Sequence, residues 1–149
     1  MKSDIESCKQ LGVHGIVFGI LDESKNVDIV RCKELLELWD GPATFHRAFD
    51  ETPDPYKAVE EIINLGFERI LTSGQKPSID LGMNLVGELI SKYGHQIHFL
   101  PGCGVNPSNG RTIIHTTGAK EIHATCKIDS KDGYGHSDPA QIKELRNTV

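Results

Sequence analysis

Five short apolar runs, at residues 16–21, 43–46, 69–72, 97–100 and 121–124, alternate with stretches of helical periodicity. They recur about every 25 residues, the spacing of a strand-plus-helix unit. No two-residue turn signal joins any pair of them, so successive strands are linked through helices and run in one direction. A further helix over 2–11 comes first, with no strand ahead of it. The predicted order is therefore helix, then five strand–helix pairs. This is a parallel α/β sheet of five strands and six helices in a single domain over 1–149. The period is that of a (β/α)8 barrel, but five strands cannot close one, so the expected fold is an incomplete barrel of this type.

Local chemistry agrees with the pattern. Asp28 is placed to cap a helix whose stripe is Ile29, Cys32, Leu35, Leu36 and Trp39, broken by Gly41-Pro42. Asp54-Pro55 opens the next helix, with Ala58, Val59, Ile62, Ile63 and Leu65 inward and Gly66 as its stop. A helix over 79–93 ends at Gly94, although Gly82 and Gly87 weaken it. Another begins at Pro107 or Ser108 and ends at Gly118. A loop over 127–137 carries Gly133 and Gly135, and Asp138-Pro139 opens the closing helix.

Composition excludes some functions. A formal charge of −5 without a basic run argues against nucleic acid. No apolar run approaches the ~18–20 residues of a membrane span. The polar start, Met1-Lys2-Ser3-Asp4, does not read as a signal peptide, so the expected location is the cytoplasm. Cys8, Cys32, Cys103 and Cys126 form no CxxC pair and are expected as free thiols, the first two in the core.

Function concentrates where strands end. The run Thr44-Phe45-His46-Arg47-Ala48-Phe49-Asp50 begins as a buried strand and finishes in ionisable groups. Alternation turns Thr44 and His46 to the barrel interior and Phe45 to the helices, and likewise His123 inward with Ile122 and Ala124 outward. His46, Arg47 and Asp50 are the candidate catalytic residues. Arg47 suits an anion clamp, or a structural ion pair with Asp50. His46 suits an acid/base or ligand role, or a neutral buried ring, and His123 the same. Ser73, Gly74, Gly102 and Gly104, with Arg47, form a candidate anion-binding set through exposed backbone N–H groups, or else are tight turns that need glycine.

The same run, followed by Thr52-Pro53-Asp54-Pro55, resembles the CutC copper homeostasis family. So do Gly15-Ile16-Val17-Phe18-Gly19, Glu68-Arg69-Ile70-Leu71-Thr72-Ser73-Gly74, Pro101-Gly102-Cys103-Gly104-Val105 and Glu121-Ile122-His123-Ala124. The resemblance covers 5–126, and 138–145 resembles the family's final helix. It implies a (β/α)8 barrel of which this chain matches strands four to eight, a cytosolic role in copper binding or handling, and no established reaction. The family's cysteine-containing strand-two segment has no counterpart here, and Cys103 stands where the family usually has glycine. Copper(I) favours soft donors, which leaves Cys103 and Cys126 with His46 or His123 as the candidate ligand set. The rival readings are a barrel enzyme for a small anionic or phosphorylated substrate, and a truncated isoform without activity of its own. An opened barrel exposes strand edges near 15–21 and 120–124, so self-association through them is also expected.

Overall fold

A computed structural model describes residues 1–128 and 135–148. The elements are α1 (Lys2–Gln10), β1 (Ile16–Phe18), α2 (Ile29–Leu36), β2 (Ala43–Phe45), α3 (Pro55–Leu65), β3 (Arg69–Thr72), α4 (Ile79–Tyr93), β4 (His98–Pro101), α5 (Gly110–Thr117), β5 (Lys127–Ile128), β6 (His136–Ser137) and α6 (Pro139–Thr148). A short 3-10 helix, Arg47–Glu51, lies between β2 and α3.

The strands β1-β2-β3-β4 form one parallel sheet in sequence order. Register sorts their side chains into two faces. Phe18, Phe45, Ile70 and Phe99 lie side by side and all are buried against helices. Phe67 joins them, its ring 5.0 Å from Phe18 and 5.3 Å from Phe45. Truncating one of the phenylalanines to alanine would cost about 3–5 kcal/mol, and Ile70 about 2–5 kcal/mol. Val17, Thr44, Arg69 and His98 share the opposite face, the one a closed barrel would enclose. That face is unevenly covered: Thr44 is buried, but Val17 is 62% exposed. A second core, of Ile79, Val86, Val105, Ile113, Cys126 and Leu145, joins α4, α5 and α6.

The predicted helix signals act as expected. Asp28 accepts from Arg31 N. Asp54 Oδ1 accepts from Tyr56 N and Lys57 N at 3.0 and 3.1 Å, and Gly66 ends α3 at φ 92°. Gly118 ends α5 in the same left-handed way, whereas Gly94 closes α4 with ordinary helical angles.

Several boundaries differ. β1 stops at Phe18; beyond it only Leu21 forms a bridge, to Val27. Ile29 is half exposed rather than part of the buried stripe. α5 begins at Gly110, because Asn106 and Asn109 fold the preceding residues into a side-chain-bonded turn: Asn106 Oδ1 accepts from Ser108 N, and Asn109 Oδ1 from Asn106 N.

The fifth predicted strand, 121–124, lies beside β4 without becoming a strand. Its backbone link to β4 is His123 N–H to Pro101 C=O, 2.8 Å. Gly102 N bonds to Thr72 on the β3 side, so residue 101 is the one that turns its N–H toward 121–124. It is proline and has none, so the next rung cannot form. The side chains still alternate as predicted, Ile122 and Ala124 packing on the second core. A second difference is the short antiparallel pair β5–β6, where a loop was expected over 127–137. Most of the predicted 127–137 loop, Gly133 included, lies outside the described residues.

Candidate functional site

Two groups of candidate residues sit at the C-terminal ends of the sheet. The first is built on Asp50. β2 ends at Phe45, and His46 caps the 3-10 helix, its Nδ1 accepting from Ala48 N at 3.2 Å. That contact places the proton of a neutral ring on Nε2. The single turn of helix that follows carries Asp50 back across the end of β3. Its carboxylate, with 7% of the side chain exposed, is surrounded by donors. Oδ1 accepts from Ser73 N and Gln75 N, both at 3.1 Å, and from the Thr72 hydroxyl. Oδ2 accepts from Ser73 N at 3.0 Å and Arg47 Nε at 2.8 Å. Ser73 Oγ lies 3.0 Å from Oδ2 and also reaches the Lys76 carbonyl; its single proton serves one of the two.

The 72–75 loop is therefore an anion-binding nest already occupied by a carboxylate of the same chain. Ser73 and Gly74, expected to present free N–H groups, donate internally: Ser73 N to Asp50 and Gly74 N to Thr72 Oγ1 at 2.8 Å. Gly102 N is likewise committed, to Thr72 C=O at 2.9 Å. Gly104 contributes its carbonyl, accepting from the amides of Asn106 and Asn109. Arg47 forms the ion pair with Asp50 and also donates from Nη2 to Ser73 Oγ at 2.9 Å, yet remains 42% exposed. With His46, Ala48, Glu51 and Leu71 it lines an open recess of about 430 Å³.

Glycines allow this packing. A Cβ on Gly82, inside α4, would stand 1.8 Å from Ser73 C=O, and one on Gly74 would stand 2.3 Å from Gly82 C=O. The glycine that weakens α4 is what lets the loop lie on it. A Cβ on Gly102 would come within 2.7 Å of Leu71 Cδ1. Gln75, with φ 57°, was not foreseen as a site residue; its side chain donates to the Thr52 carbonyl at 2.6 Å and ties the loop to the end of the 3-10 helix. The signal that could have found it is the position one residue after Ser73-Gly74, where the turn brings the next N–H onto the same anion.

The second group lies at β4. Cys103, His123 and Cys126 line one recess of about 250 Å³ with Asn106, Thr125, Lys127 and Gln141. Cys103 and Cys126 both hold left-handed backbone angles, φ 73° and 44°. Cys103 Sγ donates to Pro77 C=O at 3.2 Å, His123 is exposed and Cys126 is buried. His46 lines the other recess. Among the described residues no three His, Cys, Asp or Glu side chains are gathered as a metal site. Cys32 is buried beneath Ile20 C=O, and burial pushes its thiol pKa up.

The CutC family matches residues 1–128. A CutC family protein of Bacteroides fragilis is 42% identical over 141 residues, which is 94% of this chain and 56% of that protein. The solved CutC of Streptococcus agalactiae, named for copper homeostasis, superposes with a TM-score of 0.79 at 30% identity, over 82% of this chain and 60% of its own. A KDPGal structure superposes at 0.63 with 15% identity over the whole of this chain and 66% of its own, a likeness of fold alone. The chain thus spans little more than half the length of the Bacteroides relative.

Proposed function

The chain belongs to the CutC family, and on that premise we propose that it takes part in copper homeostasis by binding cytosolic copper(I) as its cargo. What supports this reading at the residue level is that Cys103, Cys126 and His123 line one recess, although among the described residues they are not gathered as a metal site and capture has to draw them together. Thiolates suit copper(I), with imidazole as an acceptable third donor. His46 stands outside this donor set, and capture requires the buried Cys126 thiol to turn toward the recess. Titration of Cu(I) against a competing chelator tests it. Cys103→Ser and Cys126→Ser are each expected to weaken binding at least tenfold; unchanged affinity in both removes the ligand set.

The Arg47 recess favours a second reading, a site for a small anion or phosphorylated compound. Arg47 is fixed in place by Asp50 and Ser73 while part of its guanidinium faces solvent beside His46. Soaking crystals with inorganic phosphate is expected to place density against Arg47, lost in Arg47→Ala. An empty recess at high phosphate would end this reading.

A third proposal concerns assembly. The sheet ends at β1 on one side and at the thinly bonded 121–124 segment on the other. Through these edges the chain associates with another polypeptide, either a second copy or a complementary βα segment.

A further inference from the structure

The Arg47 recess still holds hydrogen-bond donors once the internal network is satisfied. A guanidinium has five N–H groups. Arg47 commits Nε to Asp50 Oδ2 at 2.8 Å and one Nη2 proton to Ser73 Oγ at 2.9 Å, so its Nε–Nη2 edge is occupied. Among the described residues Nη1 has no partner, and the Nη1–Nη2 edge of a side chain anchored along its other edge is left to meet a ligand. His46 adds a second donor on the same recess. Its Nδ1 accepts from Ala48 N, so Nε2 carries a proton whether the ring is neutral or charged. The ring is also confined on the Nδ1 side, where a Cβ on Gly19 would stand 3.0 Å from that nitrogen.

Few donors and balanced charge narrow what can bind. The backbone N–H groups of Ser73 and Gln75 are committed to Asp50, and that of Gly74 to Thr72. A phosphate group brings three acceptor oxygens and about 1.5 to 2 negative charges. It would meet one guanidinium edge and one imidazole, in surroundings where each cation is already matched: Arg47 with Asp50, and Lys25 with Glu51. A carboxylate brings a single charge and two coplanar oxygens, the shape to which a guanidinium edge is matched. Beside these polar groups the recess is apolar. Ala48 and the half-buried Leu71 line it, Leu71 standing on the same face of β3 as Arg69.

We infer that the Arg47 recess takes a small monocarboxylate with an apolar body, its carboxylate held between the free guanidinium edge of Arg47 and His46 Nε2–H, and its body lying on Leu71 and Ala48. This rests on the reading of the recess as an anion site and narrows it to one charge, one planar head group and one kind of tail. His46 is then a binding residue that donates, while Asp50 and Ser73 are positioning residues that act through Arg47.

The test titrates the isotope-labelled chain with butyrate, acetate, butyramide and inorganic phosphate, following the Arg47 Nε–H and Ser73 N–H resonances. Butyrate is expected to bind in the millimolar range, about three- to tenfold tighter than acetate because two methylenes leave water. Phosphate, a weak ligand that soaking concentrations still drive in, and butyramide, which lacks the charge, are each expected to bind at least tenfold less tightly than butyrate. His46→Phe should weaken butyrate about tenfold, the value of one hydrogen bond to a charged group. His46→Gln, which keeps a side-chain N–H donor, should retain most of the affinity. Leu71→Asn should abolish the preference for butyrate over acetate. Should these variants fail to fold, the order of the four ligands on the unaltered chain decides. Phosphate binding as tightly as butyrate, or full butyrate affinity in His46→Phe, would overturn the inference but leave the anion site standing. Butyramide equal to butyrate, or no ligand shifting the Arg47 resonance, would overturn both.

Discussion

The two strand-end regions of this sheet are held in opposite ways. At β2 and β3, one carboxylate satisfies two backbone N–H groups, a hydroxyl and a guanidinium, and the loop that carries them lies directly on α4 through Gly74 and Gly82. At β4, a single backbone bond holds the next segment, two cysteines sit at positive φ and an imidazole stands exposed. The first region spends its polar groups on itself. The second is held by fewer bonds: Cys103 Sγ donates to Pro77 C=O, and His123 stands at the surface. Residues that look most like a binding site in sequence, Ser73 and Gly74, are thus the ones least available to a ligand. The exception is Arg47, which the same network fixes in position while leaving it partly solvent-facing.

The contrast predicts unequal costs. Asp50→Ala should be the most damaging change, leaving the two N–H groups and Arg47 without their common acceptor. A loss of about 3 kcal/mol or more in urea unfolding is expected, because two loop N–H groups each lose their acceptor at about 1–3 kcal/mol. Acetate should restore part of it, because the nest is built for a carboxylate. A loss below about 1 kcal/mol would show that the nest does not organise the loop. Gly82→Ala comes next. Its Cβ would collide with Ser73 C=O, which belongs to backbone and cannot swing aside. About 1–3 kcal/mol is expected, as for overpacking elsewhere. The change should also alter the chemical shifts of Ser73 and Gln75, although alanine is the better helix former.

These two residues show where the sequence was readable. Asp54, Gly66 and the β3 and α4 boundaries follow from propensity and capping, which act within a few residues, and they stand where the pattern puts them. The order of the parallel strands follows as well, since helices between strands leave few other topologies. The Asp50 network joins residues 22 to 25 positions apart, and nothing local says that a loop N–H will meet an internal carboxylate rather than a ligand. The failure of 121–124 to pair was legible only through Pro101, and only once the side toward which that residue faces was known. The pair β5–β6 flanks the dipeptide Asp132-Gly133, a turn signal that the reading of 127–137 as a plain loop did not use.

A smaller effect is expected at the looser end. Cys103 stands at φ 73°, where a residue with a Cβ is strained by roughly 1–2 kcal/mol. Cys103→Gly should release that strain, less the entropy glycine adds to the unfolded chain, for a net gain of about 0.5–1 kcal/mol. The same substitution is expected to weaken copper(I) binding. A variant more stable and poorer in copper affinity would mark Cys103 as kept for chemistry. Neutral stability would mean that the loop relaxes around either residue.

The smallest predicted effect tests how firmly 121–124 is attached. Glu121 receives Arg69 Nε at 3.0 Å, across the end of β3. The hydrogen bond with Arg69 holds the Glu121 carboxyl below the usual glutamate range, and the same contact raises Arg69. A carboxyl with a lowered folded pKa contributes stability that is complete above its unfolded value and disappears as pH falls through the folded one. The two side chains are 30% and 44% exposed, so solvent screening keeps the pair's worth to about 0.5 kcal/mol. Glu121→Gln should therefore lie slightly below the unaltered chain in stability at neutral pH and converge with it in acid. Because this ion pair and His123 N–H carry much of the attachment, its loss should also speed amide exchange at His123 while leaving Ser73 and Gln75 untouched. Equal acceleration at both ends would mean that the sheet opens as one unit, and that the difference between its two strand-end regions is geometric rather than energetic.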